Sequence, residues 1–136
     1  CRKIIKAKIE KKNVIDVWGD GEQTRSFLYI DDCINGTKKI FESNSSDVFN
    51  IGSEEQVSIN QMINIIESIA KYKVNKNYQL DKPKGVRGRS SNNDLVREKL
   101  GWDFEINLKS GLEITYKWIE KEIAKKLNNN KFAIKY

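Results

Sequence analysis

Short β-branched runs alternate with stretches of helical periodicity along this chain, and that alternation confines it to the α/β or α+β class. "VIDVWG", Val14–Gly19, alternates and closes on a glycine, as a strand entering a turn does. "RSFLYI", Arg25–Ile30, reads as a second strand, and "DVFNIGS", Asp47–Ser53, as a third. "NYQL" is a short fourth candidate. Between them, residues 3–12 read as the end of a helix. "DDCINGTKKIFES" reads as a short helix capped by Asp31 or Asp32, with Ile34, Thr37, Ile40 and Phe41 on one face. Residues 58–70 carry the clearest helical signal. Ser58 and Gln61 form a capping box, and Ile59, Met62, Ile63, Ile66 and Ile69 follow at helical spacing. "NDLVREKLGW" predicts a short helix ended by Gly101, and residues 108–127 a last one. Residues 128–136 read as a loose tail. The strands are few and short for a complete doubly wound domain, and the first residue is Cys1, so the chain reads as a piece of a longer protein.

Composition removes several chemistries. The chain of 136 residues has 38% apolar and 32% charged residues, an ordinary globular balance. No apolar run is long enough to span a membrane. With no histidine and only two cysteines, hydrolase triads and four-ligand zinc sites are disfavoured. Cys1 and Cys33 make no disulfide framework, which points to a reducing, cytoplasmic setting. The net charge of +6 is concentrated at the ends, +5 in residues 1–12 and +4 in residues 117–136, leaving a body of −3. A nucleic-acid binder concentrates cations on its recognition surface, so this distribution argues against one.

Two glycine-containing loops stand out. "GDGEQTRSF" places Arg25 between a glycine turn and an apolar run, and "KGVRGRSSNND" sets Arg87 and Arg89 on either side of Gly88. Three of the chain's five arginines lie in these loops, in a chain that has twenty lysines. Arginine suits forked contacts with phosphate oxygens, so the bias favours a specific anion over general solubility. The turn itself is no dinucleotide fingerprint. Thr24 occupies the third glycine position, and a strand rather than a helix follows. Tyr72-x-x-x-Lys76 and Tyr78-x-x-x-Lys82 match the spacing of a dehydrogenase Tyr/Lys pair, but neither lies in a helical pattern that would put both groups on one face.

At "VWGDGEQTRSFLYIDDCINGT", "FNIGSEEQVSINQM" and "GVRGRSSNNDLVREKLGW" the chain resembles the extended short-chain dehydrogenase/reductase family of nucleotide-sugar epimerases and dehydratases. "QTRSF", "GVRGR" and "LKSGLEITYKWI" resemble its members that act on GDP-mannose. The resemblance covers nearly all of residues 1–127. It implies an α/β fold, α+β as an isolated piece: the C-terminal substrate-binding part, with few strands, about four to five helices and the Rossmann core mostly missing. Residues 47–52 would be a late strand of the Rossmann sheet. By the same resemblance Gln23, Thr24 and Arg25 line the nucleotide-sugar site and Arg89 holds the diphosphate, with Arg87, Gly88 and Ser91 in support. Phe27, Tyr29 and Ile30 would turn into the core. NAD and the catalytic groups would belong to an N-terminal domain not represented here, and the full-length protein would be a homodimer. Cys33, inside the "DDCIN" helix, would have no catalytic role, and no metal is implied. The alternatives are a non-enzymatic basic module for nucleic acid or a protein partner, and an inactive relic.

Overall fold

The computed structural model describes residues 1–133. Along the chain run α1 (Arg2–Ile9), β1 (Val14–Trp18), β2 (Thr24–Ser26), α2 (Ile30–Glu42), β3 (Gln56–Ser58), α3 (Ile59–Ala70), β4 (Asn75–Gln79), α4 (Asp94–Leu100) and α5 (Leu108–Ala133). β1 pairs in parallel with β4, Val14 opposite Asn75 and Trp18 opposite Gln79. β2 pairs antiparallel with β3, Arg25 opposite Val57.

The alternation of β1 buries Ile15 and Val17 and leaves Val14 and Trp18 exposed. Against that buried face pack Ile4, Ile5 and Ala7 of α1, Ile63, Ile66 and Ala70 of α3, and Tyr116 of α5. α3 starts where the capping box requires. Ser58 Oγ accepts the Gln61 amide at 3.1 Å, and Gln61 Oε1 accepts the Ser58 amide at 2.8 Å. The helix stops at Lys71 in the left-handed region. Glu67 then turns the chain into β4. It is 4% exposed and accepts the Val74 amide at 2.8 Å and the Lys73 ammonium at 3.0 Å.

Burial of Glu67 works against its ionisation, but the Val74 amide and the Lys73 ammonium outweigh this and hold the carboxyl below its usual value. A carboxylate whose folded-state pKa is depressed stabilises the fold above its unfolded value of about 4.3 and loses that contribution as pH falls through the folded value. Urea unfolding is therefore expected to show wild type losing more stability between pH 7 and pH 3 than Glu67→Gln does. Equal losses would remove Glu67 from the acid response.

Several expectations need correction. The second strand is confined to Thr24–Ser26, because β3 offers only three residues to pair with. Phe27 and Ile30 are 38% and 58% exposed rather than in the core, and Tyr29 is partly exposed. Tyr29 occupies the N-cap of α2, with no side-chain cap there. Asp32 is instead buried, where its Oδ2 accepts the Ile106 amide at 3.0 Å. Among the described residues, 47–53 carry no strand, unlike the third strand read from Asp47–Ser53. α5 runs past Leu127 to Ala133, so residues 128–133 of the expected loose tail are helical; residues 134–136 lie outside the described residues.

Away from the main core, Trp102, 2% exposed, lies on Gly36 of α2. A Cβ at Gly36 would come within 2.8 Å of the indole. The opposite side of α2 is bare: Ile34 is 59% and Phe41 87% exposed, and both share a face with Ile30. An unpaired apolar stripe of this kind promotes association. The 136-residue chain alone is expected to bind a hydrophobic dye and to elute above its monomer mass, with Phe41→Lys reducing both. A dye-silent monomer would count against this.

Candidate functional site

The turn between β1 and β2 is built by Gly19 and Gly21, both at positive φ of 74° and 75°. At Gly21 the need is also steric, since a Cβ would sit 2.5 Å from Asn60 Oδ1. Asn60, in the first turn of α3, donates its backbone amide to Gly21 O at 3.0 Å and its Nδ2 to Asp20 O at 3.0 Å. The turn is thereby tied to α3.

Residues 84–88 cross over this turn as a strap. Lys84 pairs with Asp20 at 3.0 Å, the Thr24 amide donates to Arg87 O at 2.9 Å, and Arg25 donates to Thr24 O at 2.6 Å and Lys84 O at 3.3 Å. The Glu22 amide, and then Lys84, hold the Asp20 carboxyl below its usual range. Arg25 is thus aimed by two backbone carbonyls, and the remaining N–H groups of its fork are left over.

Arg25 and Arg89 line one open cavity of about 410 Å³, together with Ser26, Asn50, Ser91 and Asn92. One wall is residues 50–53 and the other residues 89–92. No aspartate or glutamate lines it. The salt bridges among the described residues include Arg97 repeatedly and neither Arg25 nor Arg89. Two guanidinium groups without a local counter-charge, set among hydroxyls and amides, make a site for a dianion with several oxygen acceptors.

The other residues singled out from sequence divide. Ser91 lines the same cavity. Gln23 and Arg87 line an adjoining recess with Asp20, Glu22 and Lys84. Thr24 lines neither; its hydroxyl reaches Gln56 Oε1 at 3.3 Å. Gly88 serves packing here, since a Cβ would meet Thr24 Oγ1 at 2.7 Å, so its lack of a side chain lets the strap lie on β2.

Two features escape sequence reasoning. A largely apolar cavity of about 430 Å³ opens beside Trp18, Gln23, Met62 and Cys1. Gln23 donates Nε2 to Trp18 O at 3.1 Å, while its buried Oε1 has no partner. The available signal was Trp18 itself, an aromatic on the exposed phase of an alternating strand. The second is Asn93, fully buried behind the arginine-lined cavity, which carries no local sequence signal.

The residues present do not fit a dinucleotide. The Gly19–Gly21 turn leads into β2, and the α3 N-terminus beside it already spends its Ile59 and Asn60 amides on Gln23 O and Gly21 O, so it has none to offer a phosphate. Tyr72/Lys76 and Tyr78/Lys82 fall on or beside extended β4, which cannot hold such a pair on one helical face. Cys33 lies in α2 as a free, partly exposed thiol. Among the described residues no cluster of three or more His, Cys, Asp or Glu is placed to hold a metal, and no helix is long and apolar enough to cross a membrane.

Known proteins place this arrangement. The family described as GDP-mannose 4,6 dehydratase matches residues 1–115. GDP-mannose 3,5-epimerase of Arabidopsis thaliana is 46% identical over 110 residues, 81% of this chain and 29% of that protein. UDP-glucuronate 4-epimerase of Thermodesulfobacterium geofontis is 30% identical over 85% of this chain and 36% of that protein. Among solved structures, UDP-glucuronic acid 4-epimerase from Bacillus cereus, in complex with UDP-glucuronic acid and NAD, superimposes with a TM-score of 0.77 at 34% identity, covering 88% of this chain and 38% of that one. UDP-glucose 4-epimerase from Thermotoga maritima, with UDP-glucose, gives 0.78 at 28% identity, again over 38% of that chain. The chain therefore spans well under half the length of the relatives it matches. By its motifs, its fold and these matches, the chain belongs to the GDP-mannose 4,6-dehydratase family, nucleotide-sugar epimerases and dehydratases of the extended short-chain dehydrogenase/reductase type.

Proposed function

We propose that this chain is the substrate-gripping part of an NAD-dependent nucleotide-sugar epimerase, that its substrate is GDP-mannose, and that its grip is on the diphosphate. The observation that carries the reading is the carboxylate-free cavity lined by both Arg25 and Arg89. A diphosphate bridges two guanidinium groups well, because each phosphoryl can accept a pair of N–H donors and the charges balance. Ser26, Asn50 and Asn92 supply neutral donors around it, while Ser91, whose hydroxyl is given to Asn93 Oδ1, completes the wall. The apolar cavity beside Trp18 suits the nucleoside, whose base offers a π-face to the indole. The GDP-mannose assignment draws on the 46% identity to a GDP-mannose 3,5-epimerase.

NAD, when bound, supplies reversible oxidation of the sugar. The residues described here offer it no cradle, so their part is to hold and orient the sugar nucleotide. By itself the 136-residue chain is expected to turn nothing over.

Calorimetric titration of the full-length protein with GDP-mannose, UDP-glucuronate and inorganic pyrophosphate tests the reading. GDP-mannose is expected to bind tightest, with pyrophosphate competing for the same site. No competition by pyrophosphate, or a preference for the uridine nucleotide, would defeat it.

A further inference from the structure

Behind the arginine-lined cavity lies a layer of polar groups that takes no part in lining it. Asn93 is 0% exposed. Its Oδ1 accepts the Ser91 hydroxyl at 2.7 Å, and its Nδ2 donates to Gly52 O at 2.8 Å. Its backbone amide donates to Glu54 Oε1 at 3.3 Å. Glu54 in turn takes a forked pair from Arg97, at 3.0 Å and 2.8 Å, and Arg97 also forks onto Asp103 at 2.8 Å and 3.2 Å. Gly52 and Ser91 sit so close that a Cβ on Gly52 would lie 2.5 Å from Ser91 Cβ.

These contacts join two separate stretches. Gly52 and Glu54 belong to the wall of residues 50–53 and its continuation, while Ser91 and Asn93 belong to the wall that carries Arg89. Neither wall has regular secondary structure; a long backbone bond from the Ser91 amide to Ser53 O at 3.5 Å crosses between them, but no ladder fixes their distance. An irregular loop keeps its arginine in place only if something at its root is ordered. A fully buried amide with partners on both walls does that, because leaving its donor or acceptor unmatched is costly.

We infer that Asn93, with the Glu54–Arg97 ion pair, is a positioning brace that sets the gap between the two walls and so the reach of Arg89 relative to Arg25. This rests on the reading of that cavity as the diphosphate site. The brace touches no ligand position; it acts through Arg89. The Glu54 carboxylate is kept ionised below its usual range by Arg97 and then by the Asn93 amide, so the pair stays charged at neutral pH.

The test is a double-mutant cycle on the full-length protein, with pyrophosphate and GDP-mannose as the titrated probes. Glu54→Gln and Arg97→Lys change exposed or partly exposed groups and are made alone and on top of Arg89→Ala; Asn93→Ala is made alongside. In the Arg89 background, Glu54→Gln and Arg97→Lys are each expected to weaken binding on the order of tenfold, and in the Arg89→Ala background to have almost no effect. Arg97→Lys keeps the charge but not the fork, so full retention of affinity by it overturns the brace. Equal losses in both backgrounds overturn it too, since a merely structural role predicts that result. If Arg89→Ala itself binds pyrophosphate like wild type, the diphosphate reading has failed instead.

Discussion

Replacing Arg89 with alanine in the full-length protein is expected to weaken GDP-mannose binding by about 1.5–3 kcal/mol, the range for a hydrogen bond to a charged group. That corresponds to a loss on the order of ten- to a hundredfold in affinity. Arg89 should show the effect cleanly, because it belongs to no ion pair among the described residues and its removal leaves no stranded carboxylate in the cavity. Arg25 is held differently, by the carbonyls of Thr24 and Lys84. Arg25→Ala is therefore expected to lose affinity in the same range and also to loosen the strap. Arg25→Lys should recover little, because an ammonium cannot bridge two carbonyls and a phosphate in one plane. Unchanged affinity for both alanine variants would leave the proposed grip without a basis.

The largest effect on stability is expected at Trp102. Truncation to alanine should cost about 3–5 kcal/mol, the usual range for a buried aromatic. The indole is 2% exposed and rests on the bare backbone of Gly36, so neither side can close the space left behind. Trp102→Phe should cost much less, since the indole Nε1 has no acceptor and phenylalanine removes that unmet donor. Equilibrium urea unfolding measures both. A loss below about 1 kcal/mol for Trp102→Ala would mean that the site collapses freely, contrary to the packing seen.

Elements whose cause lies within a few residues are legible in the sequence, and those set by distant partners are not. α3 was legible because its capping box and its isoleucine spacing lie within thirteen residues of one another. β1 was legible from alternation. β4 was harder: "NKNYQ" is polar and of low strand propensity, and what makes it a strand is parallel pairing with β1, far away in the chain. The face of α2 shows the limit of periodicity. Spacing grouped Ile34 with Phe41 correctly but carries no information on whether anything covers them. Likewise, "QTRSF" and "GVRGR" suggested anion chemistry separately. Only the family resemblance put Arg25 and Arg89 in one site; that they share a cavity depends on how the strap crosses the turn, and nothing in either loop encodes that crossing. Asn93 was invisible for the same reason, because its burial and its bond to Gly52 are set by tertiary approach.

The parallel pairing of β1 with β4 has a kinetic consequence. Val14 meets Asn75 only after the whole intervening chain has been gathered into a closed loop, a conformational cost that no local contact repays in advance. The segment bearing Lys84, Arg87 and Arg89 hangs from the far end of β4. The cavity lined by Arg25 and Arg89 is thus expected to be completed late in folding. A nucleotide added during refolding would find nothing to hold until that ladder is complete, and would then act as a latch on the finished state.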